Sequence, residues 1–213
     1  MNSRYVAAGV ETEFEPGSRG RVLKNLLGIR RVGDMQQAES EALLAVQDWA
    51  VAHYAMTHRF TAPDVCELHR QWLGGIYAWA GEYRTVNMAK GGFVFAAAGQ
   101  VPRLMKDYGR TELAATPCAG MEEARLIEVL ARSHAELVII HPFREGNGRC
   151  ARLLAWLMAM QAGLPPLDFS PMSGRGKAAY VAAIHAAFRG DYAPMQAQFA
   201  AVIRRTLRSC GER

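Results

Sequence analysis

The chain has 213 residues, of which half are hydrophobic, 9% aromatic and 21% charged. That is the profile of an ordinary globular domain, and it excludes wholesale disorder, collagen-like repeats and a disulfide mini-scaffold. The formal charge is +5, and lysine occurs only at Lys24, Lys90, Lys106 and Lys177, so arginine carries the excess. Guanidinium groups bind phosphate oxygens in a bidentate fork, which makes polyanions natural partners, although solvated surface arginines give the same balance.

Cys66, Cys118, Cys150 and Cys210 are widely spaced and form no CxxC pair, which reads as free thiols in a reducing compartment. The first residues carry acids and a proline where a signal peptide needs an unbroken apolar stretch. The longest apolar run, Leu153 to Met160, is too short to span a bilayer. These features give the expectation of a cytoplasmic protein with no membrane partner.

In chain order, residues 1–20 read as a polar arm rich in glycine and proline. A short helix is expected over Arg21–Leu27, stopped by Gly28. Asp34 and Gln37 predict a cap for a long helix to about Thr57, and Thr61 with Pro63 opens another through Val65, Leu68, Trp72 and Ile76. The stretch 82–88 alternates, Lys90-Gly91-Gly92 breaks it, and Phe93-Val94-Phe95 resumes it, which predicts a hairpin. Helical spacing returns over Val101–Leu113, Met121–Ile140, Gly148–Gln161, Arg175–Phe188 and Ala193–Arg208. The expected fold is all-α with one small β-hairpin, in one domain over 21–208, followed by a tail at 209–213.

One segment stands apart: His141-Pro-Phe143-Arg-Glu145-Gly146-Asn147-Gly148-Arg149-Cys-Ala-Arg152. Gly146 and Gly148 allow a tight backbone with exposed amides, and the apolar-periodic run that follows makes this turn a helix N-terminus, favourable to an anion. Arg149 and Arg152, three apart, project from one face of the first turn and can clamp outer phosphates. Glu145 supplies a hard oxygen of the kind Mg²⁺ takes beside substrate phosphates. His141, at the mouth of the turn, titrates near neutrality as a general base must. Gly146-x-Gly148-x-x-Ala151 also imitates a dinucleotide fingerprint, but that fold needs alternating strands and helices, and Pro165-Pro166 precedes the acidic residue Asp168.

The segment resembles the HxFx[D/E]GNGRxxR motif of the Fic (filamentation induced by cAMP)/Doc family, of the bacterial toxin type, with every specified position filled. The resemblance implies a Fic-type helical domain with a hairpin flap over the active site, and AMP transfer from ATP to a Tyr, Ser or Thr hydroxyl of a target protein. It implies that His141 takes the proton of the attacking hydroxyl and that Glu145 holds Mg²⁺. Gly146, Asn147 and Gly148 would cradle the α-phosphate, and Arg149 and Arg152 would hold the outer phosphates. Phe143 would anchor the turn in the core, and the flap edge Lys90, Gly91, Gly92, Phe93, Val94 and Phe95 would pair with the target. Gly148 stands where phosphate-transferring relatives have lysine, which favours nucleotidyl transfer. UMP, phosphate or phosphocholine transfer, or a non-catalytic nucleotide-binding module, are the other readings of the motif.

Many relatives carry an inhibitory helix with [S/T]xxxE[G/N]. No Ser or Thr in this chain has a glutamate four residues on, so the expectation is a separate small antitoxin that offers a glutamate to Arg152. The toxin of such a pair, or a secreted effector, is the role implied. Arg204, Arg205 and Arg208 have no interleaved aromatics and read as a basic last helical turn, so nucleic acid is not an expected partner. Of the other histidines, His134 reads as a core or polar-face residue, and His53, His58, His69 and His185 as surface or structural.

Overall fold

The computed structural model describes residues 13–211 and the backbone of a two-residue strand, β1, at Val6–Ala7. Seven helices follow: α1 (Val32–His53), α2 (Ala62–Leu73), α3 (Val101–Thr111), α4 (Glu123–Ile140), α5 (Asn147–Gln161), α6 (Lys177–Phe188) and α7 (Ala193–Gly211). Between α2 and α3 lie β2 (Met88–Lys90) and β3 (Phe93–Val94). The all-α class with a small hairpin is what the sequence predicts.

Helix α4 is the axis of the core. It packs against α5, α6, α7 and α3, and Leu130, Ala131, Ala135 and Leu137 on it are fully shielded from solvent. Near its C-terminus α4 is buried on all but the Arg132–Glu136–Ile139 edge, which explains why its apolar positions run together at Leu137–Ile140 rather than in a stripe. α1 and α2 form a second layer, tied together where the Trp72 indole N–H donates to the Glu39 carbonyl at 2.8 Å.

The start of α2 follows its sequence signal. Asp64 accepts from the Thr61 backbone N–H at 2.8 Å, the Thr61 hydroxyl accepts from the Asp64 N–H, and Pro63 sits in the first turn. α1 does not: it begins at Val32 after Arg31 with no side-chain cap, Gln37 turns to Glu41 instead, and the helix ends at His53. Asp34 remains in the first turn, where a carboxylate complements the helix dipole.

The expected helix at Arg21–Leu27 is absent from the described residues. Asn25 explains this, because its side chain donates to the carbonyls of Leu23 and Ile29 and accepts from the N–H groups of Leu27 and Ile29. Those bonds satisfy the backbone in a closed turn and remove the incentive to form a helix. Phe14 and Leu23 make an isolated antiparallel bridge that lays the arm along this turn.

The hairpin is shorter than the alternation predicts. β2 and β3 pair Ala89 with Val94 and Lys90 with Phe93, while Gly91 and Gly92 take φ values of 56° and 81° in the turn. The other edge of β2 is taken by β1, with Val6 opposite Ala89 and Ala7 opposite Met88.

Candidate active site

α4 ends because His141 takes a left-handed conformation, φ 54° and ψ 58°. That conformation costs a residue with a Cβ roughly 1–2 kcal/mol, so something must hold it. Its N–H still donates to the Leu137 carbonyl at 3.1 Å, and its ring Nδ1 lies 3.1 Å from the Val138 carbonyl. A carbonyl only accepts, so Nδ1 carries the proton and Nε2 keeps the lone pair. The Phe95 ring, just beyond β3, stacks on the imidazole at 3.7 Å between centroids. At the mouth of the turn, His141 is 4% exposed beneath the flap.

The chain then turns through Phe143, which is fully buried with its ring stacked on that of His69 at 3.8 Å. Asn147 braces the turn from within: its Oδ1 accepts from the Phe143 N–H and its Nδ2 donates to the Phe143 carbonyl, both at 2.8 Å. The side chain predicted to cradle a phosphate is thus turned inward, and what Asn147 offers a ligand is its backbone at the start of α5.

Gly146 is the N-cap of α5 at φ 83°. A Cβ there would lie 2.7 Å from the Trp72 ring, so glycine is required both by conformation and by space. The first intrahelical donors are Arg149 and Cys150, both onto the Gly146 carbonyl. The amides of Asn147 and Gly148 therefore head the helix at its positive end. An added Cβ at Gly148 would meet only the end of Arg152, at 3.9 Å.

Arg149 and Arg152 both line a groove of about 720 Å³ between α1, α5 and the loop at 165–173. Arg149 is closely held there. Its Nη1 is 2.8 Å from Glu39 and its Nη2 3.7 Å from Glu145, and its guanidinium lies 4.6 Å from the Trp72 ring centroid. Glu145 also accepts from the Gly146 N–H at 3.1 Å. Among the described residues no three His, Cys, Asp or Glu side chains cluster as a dedicated metal cage. A lone carboxylate beside an anion nest fits Mg²⁺, which takes one or two carboxylates and completes its shell with water and phosphate oxygens.

Four residues outside the motif shape this site. Glu39, on α1, also accepts from the Tyr77 hydroxyl at 2.8 Å. The His69 Nδ1 accepts from the Gly81 N–H at 2.9 Å, so Nε2 carries the proton and donates to the Glu145 carbonyl at 3.0 Å. Burial, reinforced by the charges of Arg149 and Arg70, lowers the His69 pKa to about 4 and keeps it neutral. Trp72 floors the nest, and Arg84 reaches the backbone of His141 at 2.7 Å. The His69–Glu145 pair is 76 positions apart in sequence, and no local pattern announces it.

His134 is buried with its Nε2 2.9 Å from the Tyr180 hydroxyl, Glu136 accepts from the Tyr192 hydroxyl, and Asp168 pairs with Arg205. Trp72 and Trp156 are buried, whereas Trp49 and Trp79 are half-buried at the core margin. Among the described residues no helix is long and apolar enough to cross a membrane.

Residues 59–159 match the model of the Fic/DOC family. The protein adenylyltransferase VbhT of Bartonella schoenbuchensis is 28% identical over 146 residues, 67% of this chain and 30% of VbhT. The first curated relatives are thus much longer than this chain, which spans 30% of VbhT and 26% of a Caenorhabditis briggsae protein adenylyltransferase. The probable protein adenylyltransferase Fic of Escherichia coli is 26% identical over 186 residues, which cover 85% of this chain and 88% of that protein. The fold also matches a crystal structure of the translocated effector BepC from Bartonella tribocorum with bound AMPPNP, at TM-score 0.70 and 23% identity over 85% of this chain and 92% of that one. The motif, the helical architecture and these likenesses agree that residues 59–159 form a Fic/DOC-family domain.

Proposed function

We propose that this chain transfers AMP from ATP to a hydroxyl of a protein target. The observation that carries the reading is the imidazole of His141, whose Nδ1 is committed to Val138 so that Nε2 is the basic nitrogen, at the head of the turn into the α5 nest. Relatives named protein adenylyltransferases, and a related fold with bound AMPPNP, support it.

In this reading the amides of Asn147 and Gly148 receive the α-phosphate, and Arg149 and Arg152 hold the outer phosphates. The target hydroxyl attacks the α-phosphorus and gives its proton to Nε2 of His141. The new oxygen–phosphorus bond forms as the α–β bridge breaks, and pyrophosphate leaves into the arginine clamp. Mg²⁺ held by Glu145 would neutralise phosphate charge. Positioning and electrostatics supply the rate, with no covalent enzyme intermediate.

The groove beside the arginines supports a partner as well. Leu43 and Val51 of α1 face Leu153 and Trp156 of α5, with Phe169 at the loop and the two arginines lining the same space. An apolar helix face with one carboxylate aimed at Arg152 fits this surface, which is the chemistry expected of a separate antitoxin. With such a partner the chain would be the toxin of a toxin–antitoxin pair; a secreted effector is the other role proposed.

Incubation of the chain and a cell extract with ATP labelled at the α- or the γ-phosphate tests the activity. Label on protein from the α-position, lost in His141→Ala, supports AMP transfer. Label from the γ-position makes the chain a kinase, and no label with an authentic target makes it a binding module.

A further inference from the structure

Arg84 is 2% exposed, and its guanidinium is aimed at backbone. Nε donates to the His141 carbonyl at 2.7 Å, Nη1 to Val86 at 2.6 Å, and Nη2 to Ala96 at 2.5 Å and to Ile140 at 3.4 Å. The Arg84 backbone N–H donates in addition to the Pro142 carbonyl at 2.8 Å.

These acceptors fall into two groups. Ile140, His141 and Pro142 are the last turn of α4 and the start of the catalytic loop, where the helix leaves carbonyls without intrahelical donors and carries partial negative charge. Val86 and Ala96 flank the hairpin, one before β2 and one after β3. A single planar fork thus spans both ends of the flap and the residue that carries the base. Only a guanidinium offers five donors at fixed angles, so lysine cannot reproduce the set.

We infer that Arg84 is a positioning residue that locks the flap to the backbone of His141, so that a target strand seated on the flap is set in register with the base. This rests on the transfer chemistry proposed above and goes beyond it, because Arg84 lies outside the motif. His141 is held left-handed by the bond onto its carbonyl, and Phe95 is held over its ring because Ala96, the next residue, is tethered to the same guanidinium. A pull on the flap therefore moves the imidazole and its cover together. The nest at Gly146–Arg149 receives none of these bonds and keeps its shape without them.

The test compares wild type, Arg84→Lys, and Arg84→Ala with and without millimolar guanidinium ion. Amide exchange at Met88–Val94, calorimetric titration with magnesium ATP, and steady-state transfer are measured on each. Arg84→Lys is expected to lower flap protection about tenfold and kcat about 100-fold, the cost of a misplaced reacting group, with ATP affinity unchanged. Guanidinium is expected to restore flap protection in Arg84→Ala. Unchanged flap protection in the lysine variant overturns the inference, and so does a loss of ATP affinity that tracks the loss of kcat. If Arg84→Lys does not fold, failure of guanidinium to restore protection in folded Arg84→Ala has the same force. Should wild type prove to transfer no AMP, the proposed function falls, while the exchange measurement still decides whether Arg84 locks the flap.

Discussion

The guanidinium of Arg149 lies 2.8 Å from the carboxylate of Glu39, which reaches it from a different helix and is itself nearly buried. With Glu145 at 3.7 Å and the Trp72 face beneath, Arg149 sits between two carboxylates on an aromatic floor before any nucleotide arrives. That arrangement fixes the direction of the guanidinium but shares its charge. A phosphate at this arginine competes with its own carboxylates.

Loss of one partner strands the other in a poorly hydrated place. Arg149 is about a quarter exposed, so screening weakens the pair below the fully buried limit. Glu39→Gln is expected to cost about 2 kcal/mol in urea denaturation, as is Arg149→Gln. The double variant should cost less than the sum by roughly 1 kcal/mol or more. Strictly additive losses would show that the two groups do not support one another.

His69 makes a sharper structural prediction. It bridges the Gly81 N–H and the Glu145 carbonyl while stacked on Phe143, so it joins α2, the turn before the flap and the nest. His69→Phe fills the space but leaves both backbone groups unsatisfied, and is expected to cost about 2–4 kcal/mol. His69→Gln has a carbonyl and an amide that can replace both bonds, and should recover about half of that loss. Thermal melts of the two variants check the order, and a phenylalanine variant as stable as wild type contradicts it.

The part of the site that was legible from sequence was contiguous. His141 through Arg152 lie on one turn and the first coil of one helix, so neighbours in sequence stay neighbours in space, with Phe143 buried and Gly146 capping α5. What the sequence concealed came from elsewhere in the chain. Glu39, His69, Trp72 and Arg84 act through tertiary contacts, and Glu39 and Arg84, at ordinary polar positions, do not differ in sequence from solvated neighbours. The same limit explains the arm, where the side chain of Asn25 outcompeted a run of helix-forming residues.

His134 predicts an acid-sensitive core. Burial, with the nearby positive charge of Arg152, lowers its pKa to about 3, while its ring meets the Tyr180 hydroxyl and the edge of Phe199. In the unfolded chain the imidazole takes its proton near pH 6.5, and in the folded chain only near 3. The stabilisation is complete above pH 6.5 and is lost as pH falls through that window, at about 1.4 kcal/mol per unit. His134→Gln removes this contribution, so the stability gap between wild type and variant should shrink between pH 7 and pH 4 in urea titrations. A gap independent of pH contradicts the assignment.

The flap has two edges, and they are not equivalent. β1 fills the edge of β2, with Val6 opposite Ala89 and Ala7 opposite Met88. Just past β3, the Phe95 N–H donates inward to the Met88 carbonyl, so by strand alternation the N–H of Val94 points outward. Val94 is 70% exposed, and the next residue is the Phe95 that covers His141. A target strand added at this edge lies nearer the base than one added beyond β1. Val94→Pro deletes the outward donor and spares the inner ladder, which an edge strand tolerates. The expected outcome is a KM for the protein target raised about tenfold, the equivalent of one lost hydrogen bond of about 1.4 kcal/mol, with the KM for ATP unchanged. Removal of residues 1–12 should leave both constants alone. If the truncation instead lowers the target KM and the proline is silent, the target strand enters at β2 and the arm is its competitor.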